Sequence, residues 1–194
     1  MSTADRRAAL REKLIMLATA KISESGLKAL KARDLAGEAG CSVGAIYNVF
    51  GDLDELAMAV NGETFKALGA HVLDGLVPFN EAAPVDRMIA MSEAYLDFAC
   101  QNPKRWRALF DISLTRNDAP DWYLGALDDL FAIIDGPVSE LFPDLSAQDV
   151  RLRTRALFSS VHGIVLLGIE NRISGLRSDD MPDMIRFILR SVAP

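Results

Sequence analysis

The sequence predicts an all-α protein of about nine helices, a three-helix N-terminal head followed by a larger helical body. Three observations lead there. Apolar residues recur at three- and four-residue spacing along most of the chain, as one face of a helix requires. Gly, Pro and capping residues interrupt that spacing at helix-length intervals. No run shows the alternation of a strand.

Leu10, Leu14, Ile15, Leu17, Ala18 and Ile22 mark the first helix, and Gly26 supplies its stop. A short tether over 27–30 leads to a second helix over 32–39, with Leu35, Ala36 and Ala39 on one side and Gly40 at its end. Ser42 is placed to cap a third helix over 43–49, its hydroxyl accepting from an orphan backbone amide. Asp52 is placed to do the same for a fourth, which carries Leu53, Leu56, Ala57, Val60, Phe65 and Leu68 and reaches about Gly75. The segment 77–84, with two prolines and an Asn, reads as a loop. These signals divide the chain into a head over 1–52, a connecting helix over 53–75 and a body over 76–194.

In the body, Met88, Ile89, Tyr95, Leu96 and Ala99 mark the fifth helix, and Asn102-Pro103 ends it, with Pro103 in the first turn of the sixth. The sixth holds Trp106, Leu109, Phe110 and Ile112, and a break over 117–120 follows. The seventh carries Trp122, Leu127, Leu130, Phe131, Ile134, Val138 and Leu141, with Gly136-Pro137 expected to kink or split it. Ser146 caps the eighth, which holds Val150, Leu157, Phe158, Val161, Ile164, Val165 and Leu167 and is expected to end near Gly175. Met184, Ile185, Ile188 and Leu189 mark the ninth.

The net charge of −6 argues against a protein coated in basic surface, but it is unevenly spread. Residues 1–50 hold eight Lys and Arg against five Asp and Glu, net +3; residues 51–194 hold thirteen against twenty-two, net −9. A modestly basic head on an acidic body fits a protein that brings only its head to phosphate. Cys41 and Cys100 are too few for a disulfide framework and lack zinc-ligand spacing, so no metal or cofactor is expected and a cytoplasmic location is. The first residues lack the continuous apolar run of a signal peptide, and the longest apolar stretch, 163–169, is far short of the roughly 20 residues of a membrane span.

The informative stretch is ARDLAGEAGCSVGAIYNVFGDLDELA, residues 32–57, where two short helices meet at Gly40-Cys41-Ser42. This is the pattern of a helix-turn-helix. A helix that enters the major groove needs small or polar leading residues, and Ser42, Val43, Gly44 and Ala45 meet that demand. Tyr47 and Asn48 follow with a hydroxyl and a carboxamide for phosphate or base edges, while Ile46 and Phe50 are expected to point inward.

Over about residues 8–60 the chain resembles the tetracycline-repressor family of transcriptional regulators. The resemblance implies a repressor that binds a palindromic operator in double-stranded DNA as a homodimer and is released by a small-molecule effector. It implies DNA contacts from Lys31 or Arg33, from Ser42, Val43, Gly44 and Ala45, and from Tyr47 and Asn48. Two positions depart: where the family often has His before the Phe and Lys at the start of the fourth helix, this chain has Val49 and Leu53. The fourth helix could still offer its free N-terminal amides to a phosphate. Val161-His162-Gly163 resembles a His-Gly motif of one C-terminal subtype. The family also implies a dimer face on the last two long helices, over 155–169 and 184–189, although apolar stripes there suit an intramolecular core equally.

Met88, Met91, Tyr95, Phe98, Trp106, Phe110, Trp122, Phe131, Phe158 and His162 are candidates for an apolar effector pocket, favouring an apolar or aromatic ligand. Each is equally a core residue by type, and His162 is either a polar handle in the pocket or a satisfied core or interface histidine. The carboxylate pairs Asp52/Asp54, Asp128/Asp129 and Asp179/Asp180 lack a neighbouring His or Cys and read as caps and solvated faces, so no enzyme is expected. The rival reading is a helical protein-interaction module with a degenerate helix-turn-helix.

Overall fold

A computed structural model describes residues 2–112 and 118–193. Among them the chain forms nine α-helices and no strand: α1 (Thr3–Ser25), α2 (Ala32–Ala39), α3 (Val43–Val49), α4 (Leu53–Leu76), α5 (Pro84–Gln101), α6 (Pro103–Asp111), α7 (Asp121–Leu141), α8 (Ala147–Ile169) and α9 (Met181–Ser191). The expected all-α class and helix order are observed. The break placed over 117–120 begins at Asn117, which lies outside the described residues; 118–120 form a turn before α7.

Local chemistry accounts for most boundaries. Ser2 and Asp5 form a capping box, the Asp5 amide donating to Ser2 Oγ (3.1 Å) and the Ser2 amide to Asp5 Oδ2 (2.8 Å), so α1 begins two turns before its first apolar residue, Leu10. Gly40 ends α2 in the left-handed region (φ 70°), with its amide donating to Gly37 O (3.3 Å) and that of Cys41 to Ala36 O (3.0 Å). The Ala45 amide then donates to Ser42 Oγ (3.1 Å), starting α3, and the Glu55 amide to Asp52 Oδ1 (2.7 Å), starting α4.

Two expectations need correction. Gly136-Pro137 does not split α7, which runs unbroken from Asp121 to Leu141. Pro137 removes one backbone donor, and the buried Val138 beside it keeps the next turn against the core. Likewise α8 stops at Ile169, six residues before Gly175. Asn171 takes the left-handed conformation (φ 49°), and the amides of Asn171 and Arg172 donate to Gly168 O (3.1 Å) and Leu167 O (3.0 Å), a Schellman closure made with Asn instead of Gly.

The chain forms two compact units: residues 1–65 with 102–124, and residues 66–101 with 125–194. In the first, Leu14, Ala18 and Ile22 of α1 meet Leu35, Ile46, Phe50, Leu56 and Val60, and Ala108 of α6 closes the same core. Asn61 Nδ2 donates to Ala108 O (3.0 Å), so α6 joins this unit through both packing and a buried hydrogen bond. In the second, α9 packs on α5 and α8 through Met181, Ile185 and Leu189. There Gly168 lies so close to Met181 that an added Cβ would stand 2.2 Å from its sulfur.

Candidate functional site

The paired caps of Gly40 and Ser42 hold α2 and α3 about a fixed turn, and the burial of Ile46 and Phe50 sets which side of α3 faces out. That outer side carries Ser42, Val43, Gly44, Tyr47 and Asn48, all exposed, with Ala45 half-buried at its edge. Tyr47 is 45 % exposed although its ring is apolar. Lys31, at the N-cap of α2, and Arg33, in its first turn, are exposed as well. A Cβ on Gly44 would meet nothing nearer than Ser42 Oγ at 3.9 Å, so the fold does not require glycine there. A short helix with small leading residues and a hydroxyl and carboxamide one turn on can lie against a surface and bond polar edges on it.

The start of α4 is different. The Glu55 amide is bonded by Asp52 and the Gly51 amide by Glu55 Oε2 (2.7 Å), and Asp52, Asp54 and Glu55 are all exposed. Amides that Sequence analysis offered to a phosphate are thus partly taken by carboxylates whose charge opposes one.

Of the ten effector-site candidates, seven belong to the second unit. Tyr95 OH and His162 Nδ1 share a hydrogen bond of 2.8 Å. The Phe158 ring stacks on His162 (5.5 Å between centroids) and meets Phe131 (4.9 Å) and Tyr95 (5.8 Å) edge-on. Arg155 lies 3.6 Å over the Phe131 ring and bonds Asp128 (2.7 Å), which accounts for one of the carboxylate pairs. Phe98 lies beside His71 (5.8 Å), whose Nε2 is 2.9 Å from Asp97. Met88 and Met91 are buried in α5.

Trp106, Phe110 and Trp122 belong instead to the first unit. Trp106 is buried against Phe110 (5.5 Å), and Trp122 is exposed, lying on Gly62, where a Cβ would stand 3.2 Å from the ring. Beside them is a polar set that sequence reasoning missed. Asn61 Nδ2 also reaches Tyr123 OH (3.3 Å), Arg105 Nε donates to Thr64 Oγ1 (2.9 Å), and Asn61 and Thr64 are buried. Burial pushes the Tyr123 phenol up and the Arg105 guanidinium down from their ordinary ranges. The available signal was an Asn and a Thr three residues apart inside the apolar run of α4.

Helix-turn-helix head and helical body together define a DNA-binding regulator fold. Residues 88–192 match the tetracyclin repressor-like C-terminal domain, and the chain belongs to the tetracycline-repressor family of transcriptional regulators, which are not enzymes. Nothing in that match singles out the His-Gly subtype. Solved structures share the fold. A protein of unknown function from Rhodococcus sp. RHA1 is 23 % identical, with 95 % of this chain and 96 % of that one covered and a TM-score of 0.75. RolR, solved with its ligand resorcinol, is 19 % identical, covering 97 % and 90 %, TM-score 0.71. The ketosteroid transcriptional regulator KstR2 of Mycobacterium tuberculosis is 20 % identical, covering 95 % of each chain, TM-score 0.57. No curated protein matches the chain in sequence.

Proposed function

We propose that this protein is a cytoplasmic repressor that binds a palindromic operator in double-stranded DNA as a homodimer and leaves it when a small apolar or aromatic effector binds. The observation that carries the reading is the outer face of α3. Its small residues and its exposed Tyr47 and Asn48 do no packing work within the chain, while Ile46 and Phe50 anchor the opposite face. The net charge of −9 beyond residue 50 opposes any other part approaching the duplex.

Dimerisation is supported by an apolar face left uncovered on α8 and α9. Leu152 (68 % exposed), Ala156, Gly163 and Leu167 follow one stripe of α8, and Phe187 (63 % exposed) and Met184 lie on α9. By length and composition α8 is the one helix among the described residues that could cross a membrane. Its opposite side buries Val161 and Val165 in the second unit, which suits a partner helix on one face better than lipid all round. For the effector, the Tyr95–His162 pair among Phe131 and Phe158 joins one polar handle to aromatic walls, and RolR, of the same fold, binds the aromatic resorcinol. Release requires that the effector favour one arrangement of the two heads over the other.

The test is selection from random duplexes, then binding of the selected site across a salt series by wild type, Tyr47→Ala and Asn48→Ala. A palindrome is expected, with each substitution costing about 1–3 kcal/mol of binding and affinity falling steeply with salt. No enriched sequence and a flat salt dependence would make the head a protein-interaction surface instead.

A further inference from the structure

We infer that the first turns of α1 form a second phosphate-binding arm of the head, in which Arg7 and Arg11 supply the backbone contact that the start of α4 opposes. The inference rests on the reading of α3 as the DNA-facing helix.

Leu14, Ala18 and Ile22 form the buried stripe of α1. Followed toward the N-terminus, the same stripe continues through Arg11 and Arg7, both exposed. The helix face aimed at the head core therefore turns cationic where the core ends. Arg11 shows where that end lies: its guanidinium stands over the Phe50 ring, 5.3 Å from the centroid. Phe50 directly follows α3, so this cation lies beside the end of α3 that carries Tyr47 and Asn48. Its aliphatic stem covers the ring while its charged head faces water. Arg7, one turn further out, lies roughly 6 Å along the helix axis from Arg11.

Other cations of α1 are engaged within the head. Lys13 Nζ donates to Ala39 O (2.9 Å), and Lys21 pairs with Glu38 (2.6 Å). Neither Arg7 nor Arg11 forms an ion pair among the described residues. With Asp52, Asp54 and Glu55 exposed at the start of α4, a phosphate alongside α3 is repelled from one neighbouring element and attracted to the other. Guanidinium forks match phosphate oxygens and carry no base preference, so these contacts raise affinity for all duplexes alike.

The test measures binding to the selected duplex and to a scrambled one between about 50 and 200 mM salt, for wild type, Arg7→Gln, Arg11→Gln, the double variant, Arg11→Lys and an exposed control, Arg177→Gln. Each Gln substitution is expected to weaken both duplexes by the same factor and to lower the log–log salt slope by about 0.9, making the loss of affinity over that range about 3.5-fold smaller. Arg11→Lys keeps the wild-type slope, and Arg177→Gln changes nothing. Arg7 touches no ring, so Arg7→Gln tests the arm even if Arg11→Gln disturbs Phe50. An unchanged slope in the double variant, with Tyr47→Ala still abolishing preference for the selected site, would overturn the arm and leave the α3 reading standing. Absence of salt-dependent binding by the wild type would overturn both.

Discussion

On α3 the candidate residues face solvent and touch little else in the chain; in the second unit they are turned inward and touch one another. Tyr47 and Tyr95 show the contrast within one residue type. Tyr47 is exposed with its hydroxyl on the outer face of a seven-residue helix, whereas Tyr95 is buried, bonded to His162 and packed on Phe158. An exposed aromatic beside an unneeded glycine has no structural reason to be there, so its position points outward to a partner. A buried aromatic in a hydrogen-bonded cluster already has one. Function is therefore easier to read from the head than from the body, although the body holds more aromatic residues.

That contrast can be broken at the root of α3. Ile46→Ala should lower stability by about 2–5 kcal/mol, because Ile46 is fully buried in the head core; denaturant melts would check it. A loss below 1 kcal/mol would mean that the outer face is not rigidly presented.

The glycines sharpen it further, since one substitution should act in opposite directions in the two units. Gly168→Ala should cost about 1–3 kcal/mol, because the new methyl has to displace the buried Met181. Tyr95→Phe should cost about 1 kcal/mol through the lost His162 bond and, if the cluster is the effector site, weaken effector binding while operator affinity stays at wild type. Gly44→Ala should gain about 0.5–1 kcal/mol, as nothing lies within 3.9 Å of the new methyl, yet reduce operator affinity. Calorimetry paired with binding separates the two effects, and a Gly44→Ala variant with normal DNA binding would remove the argument for close approach.

The head was legible because its signals are local. Gly40 and Ser42 act within a few residues of themselves, and the inward side of α3 follows from Ile46 and Phe50 alone. The six-residue error at the end of α8 has the same origin in reverse. Asn171 can adopt the left-handed turn usually given to Gly, and the more familiar Gly175 drew the boundary past it. At α7, Pro137 looked like a break, but one missing hydrogen bond is outweighed when its neighbours are packed.

What the sequence determined by itself was the all-α class, the caps and the exposed face of the helix-turn-helix, since helical periodicity and capping depend on residues at most a few positions apart. What only the tertiary structure decided was the company each element keeps. Ala108 enters the head core from 50 residues beyond α3, Asn61 bonds across 47 residues to Ala108 and 62 to Tyr123, and Arg11 finds Phe50. Trp106, Phe110 and Trp122 were grouped with Tyr95 and His162 by type, yet fold into the other unit. Such pairings depend on which apolar faces bury one another when the whole chain collapses, a condition no local window contains.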